Sequence, residues 1–163
     1  MIERGKLGSP GCVTLGTAGR RSHLSEKYSR TARTMAIRVV RLGEPRLPDE
    51  GLRLGTVRRP PRGVRKEEYA SRNYFDVWLP ELAPPGDVVS WALSEPWTDK
   101  RWAKYARQYR KQMATPEARH LIQLLAAMSR QTNLSVGCYC EDETHCHRSL
   151  LRELLAGAGA TMA

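Results

Sequence analysis

The apolar residues between positions 99 and 113 recur at intervals of three and four, which is the spacing that places side chains on one face of an α-helix. That face would contain Trp102, Tyr105, Tyr109 and Met113. The opposite face would be basic, with Lys100, Lys104, Arg107 and Lys111. The pattern therefore predicts an amphipathic helix whose aromatic side packs against the rest of the protein.

Two further helices are predicted on either side of this one. After it, Thr115 can cap a helix that has Pro116 at its first position and Glu117 in its first turn. The apolar residues of that helix are Leu121, Ile122, Leu124, Leu125 and Met128. Before it, a shorter helix is expected over residues 88–93, because the Pro-Pro-Gly sequence at 84–86 breaks the preceding segment.

Short apolar runs in the remaining chain predict β-strands. Residues 37–40 form one such run, residues 52–58 alternate with a period of two, and residues 134–140 have the composition of a buried strand. Residues 74–82 fit either a strand or a helix, and a last helix is expected over residues 146–156. Because helices lie between the strands, the sequence predicts an α/β fold, a small layered sandwich with a partly parallel sheet flanked by helices.

The first 34 residues lack this periodicity and are rich in Gly, Ser, Thr and Arg. Such a segment cannot bury enough apolar surface to offset the entropy that it would lose on ordering. We therefore expect a disordered basic leader at residues 1–34 and a single domain at residues 35–163. Two origins of the leader stay open, an upstream extension before a true start at Met35 or an organelle transit peptide.

The net charge of +10 makes nucleic-acid binding a hypothesis to weigh. The leader carries seven basic and two acidic side chains, which is half of that net charge, so the rest of the chain is only mildly basic. The sequence contains no run of the roughly 20 apolar residues that a membrane span needs, and no secretory signal. A cytoplasmic location without membrane contact is expected.

Three of the four cysteines crowd between residues 138 and 146, whereas a disulfide framework would spread them along the chain. Cys146, His147 and Arg148 would open the last helix just beyond the carboxyl end of a strand. Open α/β sheets bind ligands at that edge, and free amides at a helix N-terminus attract anions and lower the pKa of a thiol. These three are the predicted catalytic residues of an anion-binding site.

Three more residues are candidates for contacting the ligand: Arg62, Cys138 and Arg152. Arginine can hold an anionic group through two hydrogen bonds, and Arg62 lies on a stiff Pro/Gly loop that could aim it at Cys146. Cys138 is expected on the apolar face of its strand, where a cysteine more often packs as a core residue. The acidic residues 141–143 oppose the site, because nearby carboxylates raise the pKa of a thiol.

Other interpretations of this segment stay open. His145 and Arg152 flank Cys146 with the His-Cys-x5-Arg spacing of cysteine phosphatases, but the interval lacks the glycines that a phosphate loop needs. The clustered cysteines and a histidine could instead bind structural zinc, although a Cys-x-Cys pair converges on one ion only at the end of a strand. Asp142 or Thr144 is expected to cap the helix that follows.

Several motifs of the chain occur together in one family. They are the Pro-Arg-Gly-Val loop at 61–64, residues 76–84, the Trp/Tyr helix, and Cys138 followed by Cys-His-Arg at 146–148. On these motifs residues 36–156 resemble the YeaO-like family, domain of unknown function 488. The resemblance implies a small α/β fold, a bacterial or archaeal cytosolic setting and no established activity. It marks Arg62, Cys138, Cys146, His147 and Arg148 as the matching positions.

Cys140 and the acidic residues 141–143 depart from the pattern of that family, which counts against a fixed metal site. The favoured function is therefore a cytosolic enzyme or small-ligand module that binds a small anionic ligand, with no cofactor. One alternative is a nucleic-acid-binding protein whose basic helix contacts phosphates, and the other is a structural zinc module. The sequence predicts neither the reaction nor the oligomeric state.

Overall fold

The computed structural model describes residues 35–163, so the predicted leader at 1–34 lies outside the described residues. Four strands form one sheet: β1 (Ile37–Arg41), β2 (Leu52–Gly55), β3 (Val77–Trp78) and β4 (Leu134–Cys138). Their order across the sheet is β1-β4-β2-β3, and each pair of neighbours runs parallel. The carboxyl ends of the strands consequently lie along one edge of the sheet.

The helices are α1 (Gly86–Ala92), α2 (Asp99–Met113), α3 (Pro116–Met128) and α4 (His147–Gly157). The expected cap of α3 is present, because the Thr115 hydroxyl accepts a hydrogen bond from the amide of Ala118. The chain crosses from β3 back to β4 through α1, α2 and α3, a long crossover of the kind that parallel pairing requires. The predicted α/β fold is confirmed, and no helix between residues 35 and 163 is long and apolar enough to cross a membrane.

The core lies between the sheet and the helices. Tyr105, Tyr109 and Met113 are buried, as the predicted apolar face of α2 requires, and Trp102 is partly buried beside them. A second, smaller buried cluster lies apart from this core and contains two cysteines; its buried members are Leu42, Val57, Phe75, Cys138 and Cys146. The cysteines that carry the candidate chemistry are thus anchored by apolar packing.

Several predicted element ends differ from the structure. Strand β2 ends at Gly55 instead of residue 58, and residues 74–82 form the two-residue strand β3 followed by a 3-10 turn at Pro80–Leu82. Strand β4 ends at Cys138 instead of residue 140. Its last backbone hydrogen bond towards the β1 side is the one that the Cys138 carbonyl accepts from the amide of Leu42. The chain is therefore free to turn before Cys140.

The start of α4 also differs from the expectation. Cys146 is the N-cap residue, and its side chain makes no capping hydrogen bond. Neither Asp142 nor Thr144 caps the helix, because the Asp142 carboxylate instead accepts bonds from the amide and the hydroxyl of Thr144. Those bonds stabilise a turn at residues 142–144, which precedes the helix and is not part of it.

Candidate functional site

The end of β4 and the start of α4 bring together three thiols and an imidazole. We call Cys138, Cys140, Cys146 and His147 the Cys/His cluster. The sulfurs of Cys138 and Cys140 are 3.6 Å apart, and the Cys146 sulfur is 3.7 Å from Nδ1 of His147. The donor atoms of Cys138, Cys146 and His147 all lie within 4.8 Å of one another. The predicted pair Cys146 and His147 is therefore in contact.

Exposure separates the members of the cluster. Cys138, Cys146 and His147 are 7%, 1% and 3% exposed, whereas Cys140 is exposed. Cys146, which the sequence singles out as the nucleophile, is thus the least accessible thiol of the three. Cys140, which the sequence analysis does not select as a site residue, presents the accessible sulfur.

The tautomer of His147 follows from its hydrogen bonds. Its Nε2 lies 2.7 Å from the carbonyl oxygen of Thr56, and a carbonyl can only accept, so Nε2 carries the proton. The other ring nitrogen, Nδ1, then has a free lone pair directed at the Cys146 sulfur. The imidazole can accept a proton, or bind a cation, on the side of the thiols.

The pKa values of two cluster thiols, Cys140 and Cys138, are shifted in opposite directions. Hydrogen bonds from the thiols of Cys138 and Cys146 hold the pKa of Cys140 well below its usual value, and the positive charge of Arg148 lowers it further. The same contact with Cys140, reinforced by burial, raises the pKa of Cys138. These contacts therefore favour the thiolate form at the accessible sulfur, that of Cys140.

Arg148 points into the protein instead of into open solvent. It is buried, and its Nη2 donates to the carbonyl oxygen of Cys140 at 2.7 Å. Its Nε is a buried donor that has no hydrogen-bond partner among residues 35–163. Arg152 pairs with Glu143 at 2.7 Å. A direct ligand contact for Arg148 or Arg152 stays a prediction.

The acidic loop opposes the thiols less than its composition suggests. Glu141 forms an ion pair with Arg41 at 2.7 Å, and Glu143 pairs with Arg152. The remaining carboxylate, Asp142, lies 2.8 Å from Nδ1 of His145. Each acidic side chain of residues 141–143 therefore has a basic partner of its own.

A cavity of about 890 Å³, which we call the main cavity, opens beside the cluster. All four cluster residues line it, together with Arg59, Arg62 and Trp97 among others. Its size suits a small organic ligand, and it lies at the carboxyl ends of the strands, where parallel sheets bind ligands. The structure thus brings Arg62 to the same cavity as Cys146, which the sequence analysis expected.

The loop that carries the cavity arginines is held in place by its neighbours. The guanidinium of Arg58 donates to the carbonyl oxygens of Pro84 and Ala83 at 3.1 and 2.8 Å. The Tyr139 hydroxyl donates to the Arg59 carbonyl at 3.4 Å. Across the described part of the chain, the guanidinium groups of Arg59 and Arg62 have no hydrogen-bond or ion-pair partner. Both are available to a ligand.

Sequence reasoning missed several cavity residues besides Cys140. Arg59 stands three positions before Arg62, and an arginine in a Pro-rich loop gives no signal that separates it from a solvated charge. The ring of His145 lies nearly parallel to Trp97, with centroids 5.6 Å apart, which no local pattern reveals. The spacing of three residues between Asp142 and His145 is a local signal for the contact between these two side chains, but not for the stacking on Trp97.

The basic face of α2 is partly occupied by contacts within the protein. Arg101 pairs with Glu95, and Arg110 pairs with Glu153. The ammonium group of Lys104 lies over the ring of Trp91. Lys100, Arg107 and Lys111 are exposed. The helix therefore offers fewer free charges to a nucleic acid than its composition suggests.

These features define an α/β protein with a parallel sheet and a Cys/His cluster at the turn from β4 to α4. A family model described as DUF488-N3a, the active DUF488-N3 subclade, matches residues 37–159. The chain belongs to this family, and the resemblance to domain of unknown function 488 is confirmed. Neither the curated proteins nor the solved structures contain a match to the chain.

Proposed function

We propose that the protein binds a small anionic compound in the main cavity and acts on it through the thiolate of Cys140. One observation carries the proposal: Arg59 and Arg62 have no partner among residues 35–163, and they line the same cavity as that thiolate. Two free guanidinium groups would bind an anionic group, and the thiolate is the nucleophilic form of cysteine. A reducing compartment such as the cytoplasm would keep the three thiols free.

The buried members of the cluster would serve the thiolate. The Cys138 thiol, 3.6 Å away, would donate a hydrogen bond to it, and Arg148 holds the Cys140 carbonyl and adds a positive charge nearby. Nδ1 of His147 can accept the proton of Cys146 when the thiolate charge is consumed in a covalent bond. In this proposal the predicted residues Cys146, His147 and Arg148 support the reaction, and Cys140 touches the ligand.

The description of the matched subclade as active agrees with an enzyme instead of a purely structural module. The favoured chemistry is attack by the Cys140 sulfur on an electrophilic atom of the ligand, with departure of a leaving group from that atom. The imidazole of His145 lines the same cavity and is oriented by Asp142, so it is placed to give the leaving group a proton.

A pair of alkylating reagents tests this proposal on the full chain. Iodoacetate carries a carboxylate and iodoacetamide is neutral, so the ratio of their rates at Cys140 reports whether the cavity attracts an anion beside the thiolate. We expect a ratio several times that of glutathione, measured by mass spectrometry of the Cys140 peptide. The double variant Arg59→Gln, Arg62→Gln should lower the ratio to that of glutathione.

The matched control is Arg65→Gln, which removes an exposed arginine that pairs with Glu68 and does not line the main cavity. This variant should keep the wild-type ratio. A wild-type ratio equal to that of glutathione would contradict the proposal. An equal fall in the ratio for the double variant and for Arg65→Gln would also contradict the proposal. The fall would then be caused by the change in net charge and not by the loss of arginines that line the cavity.

A further inference from the structure

The donor atoms of Cys138, Cys146 and His147 lie close enough together to bind one metal ion, and the Cys140 sulfur lies 3.6 Å from that of Cys138. We infer that Cys138, Cys140, Cys146 and His147 bind a zinc ion through three sulfurs and Nδ1. This inference rests on the proposed function for the ligand exchange at Cys140 described below. The binding of zinc itself rests on the geometry alone.

The distances fit a tetrahedron of ligands. With a Zn–S bond of about 2.3 Å and a Zn–N bond of about 2.0 Å, two sulfurs lie about 3.8 Å apart and a sulfur and a nitrogen about 3.5 Å apart. The observed separations are 3.6 Å for Cys138 and Cys140, and 3.7 Å for Cys146 and His147. One ion can therefore be reached by Cys138, Cys146 and His147, and the exposed Cys140 side chain would complete the set by moving towards it from beside Cys138.

The end of β4 removes the obstacle that a Cys-x-Cys pair presents in a strand. Two residues along an extended strand are about 6.7 Å apart, which is too far for sulfurs on one ion. Because β4 ends at Cys138, the chain turns before Cys140 and brings the two sulfurs together. The geometry that the sequence analysis required for zinc is therefore present.

His147 is held in the way that metal-binding histidines usually are. Such a residue donates its second ring nitrogen to a carbonyl or carboxylate, which fixes the ring and leaves the other nitrogen for the metal. In this structure Nε2 donates to the Thr56 carbonyl, and Nδ1 faces the sulfurs. The imidazole thus needs no rotation to bind the ion.

The surrounding charge balances the complex. Three thiolates and Zn²⁺ carry a net charge of −1, which is costly to bury without a counter-charge. Arg148 supplies that charge, since it is buried and its guanidinium donates to the Cys140 carbonyl. Metal binding would release the remaining thiol protons to solvent, and no oxidation or reduction takes place.

The ligands differ in accessibility in a way that suggests their roles. Cys138, Cys146 and His147 are buried, whereas Cys140 is exposed and lines the main cavity. Catalytic zinc sites keep three protein ligands and one position that a substrate can take. Cys140 would fill that fourth position in the resting protein and give way to an anionic ligand held by Arg59 and Arg62.

Titration of the reduced full chain with Co²⁺ and Zn²⁺ tests the inference. Co²⁺ should bind at one equivalent, with thiolate-to-metal absorption in the near ultraviolet and the intense visible bands of a tetrahedral site, and Zn²⁺ should displace it. Cys138→Ser and Cys146→Ser should each weaken zinc binding at least about tenfold. Cys140→Ser should retain one equivalent of tetrahedral metal with weaker thiolate absorption.

Cys12→Ser provides the matched control, since Cys12 lies outside the described residues and is expected to leave the spectrum unchanged. A second measurement needs no variant: zinc should protect Cys138, Cys140 and Cys146 from alkylation and leave Cys12 reactive. Octahedral cobalt, or no protection by zinc, would overturn the inference. Unchanged affinity in both Cys138→Ser and Cys146→Ser would do the same.

The two proposals fail separately. The ratio of the iodoacetate and iodoacetamide rates at Cys140 is measured on the reduced chain with a chelator present, so the test of Arg59 and Arg62 does not depend on whether zinc binds. A rate ratio equal to that of glutathione in a chain that binds zinc would contradict the anion-binding proposal and support the zinc site. A raised rate ratio in a chain that does not bind zinc would support the anion-binding proposal and contradict the zinc site.

Discussion

In the proposed function the reactivity of the site depends on Cys140, because its sulfur is the exposed one of the cluster. Its contacts with the neighbouring thiols and the positive charge of Arg148 lower the pKa of Cys140. The buried guanidinium of Arg148 lies near the Cys140 sulfur, because its Nη2 donates to the carbonyl oxygen of the same residue at 2.7 Å. Its effect should therefore be visible in the protonation of the thiol.

The rate of alkylation of Cys140 by iodoacetamide should change little as the pH falls from 8 towards 6. A free thiol, with a pKa of about 8.5, loses reactivity over that range. Arg148→Met should raise the pKa of Cys140 and move the midpoint of the rate profile to higher pH, whereas Arg148→Lys, which keeps a positive charge, should move it less. Identical profiles in all three proteins would show that Arg148 does not stabilise the thiolate.

Among the elements, β2 carries a buried ion pair that a hydrogen bond from Ser135 joins to β4. Arg53 and Glu50 are 1% and 2% exposed, with Nη2 and Oε2 2.7 Å apart, and the Ser135 hydroxyl of β4 donates to the same carboxylate at 2.6 Å. The Arg53 guanidinium also donates to the carbonyls of Glu44 and Asn73. This network fixes two loops against the sheet.

Arg53→Met should lower the free energy of unfolding by about 3–5 kcal/mol, because it leaves the Glu50 carboxylate buried without its partner. Urea unfolding followed by circular dichroism measures the change. The control is Arg38→Met, which breaks a half-exposed pair with Asp49 and should cost less than about 1 kcal/mol. Similar losses in the two variants would contradict the special role of the buried pair.

The same network has a pH dependence. Burial by itself would raise the pKa of Glu50, but hydrogen bonds from Arg53 and Ser135 outweigh burial and lower it. A carboxylate whose pKa is lowered by folding stabilises the protein fully above the unfolded value of about 4.3, and this stabilisation is lost as the pH falls through the folded value. The stability difference between wild type and Glu50→Gln should accordingly shrink below about pH 4.

Close packing at the end of β4 requires glycine at position 137. Gly137 directly precedes Cys138 in the chain. A Cβ at this position would overlap a methyl carbon of Leu42. Gly137→Ala should destabilise the protein by about 1–3 kcal/mol and weaken zinc binding, because the strand must shift at the residue before the first ligand. Gly157→Ala, where nothing lies within 4 Å, should cost no stability in the same unfolding assay.

For the molecule between residues 35 and 163, the cluster joins parts that are distant in sequence. Cys138 closes β4, Cys146 caps α4, and His147 is bonded to the Thr56 carbonyl just after β2. Because the Thr56 carbonyl orients His147 only in the folded chain, an ion that binds these groups binds the folded chain more tightly than the unfolded one. Metal binding and folding should therefore be coupled.

Zinc at 100 times its dissociation constant should raise the free energy of unfolding of the full chain by up to about 2.7 kcal/mol, the value for an ion that does not bind the unfolded chain. Cys146→Ser should lose this increment, and Cys12→Ser should keep it. Urea unfolding with and without zinc, under reducing conditions, provides the measurement. An equal effect of zinc on wild type and Cys146→Ser would show that the ion binds elsewhere.

Much of the fold could be predicted because it depends on neighbours in the sequence. The apolar spacing of α2, the Thr115 cap of α3 and the apolar run of β4 are local signals, and the structure contains each element where the pattern places it. The strand-to-helix turn with Cys146 and His147 was predicted for the same reason. The ends of the strands were less certain, because they depend on where a partner strand stops.

Local signals in the sequence are enough to predict the α/β class, the main helices and the segment that carries the cysteines, since periodicity and capping act within a few residues. Which thiol is exposed, which arginines line its cavity and which arginine is buried beside it depend on tertiary contacts. Cys140 joins the cluster because β4 ends two residues earlier than predicted, and Arg59 reaches the cavity because Arg58 fixes its loop to Pro84. These contacts join residues far apart in the chain, so no local pattern encodes them.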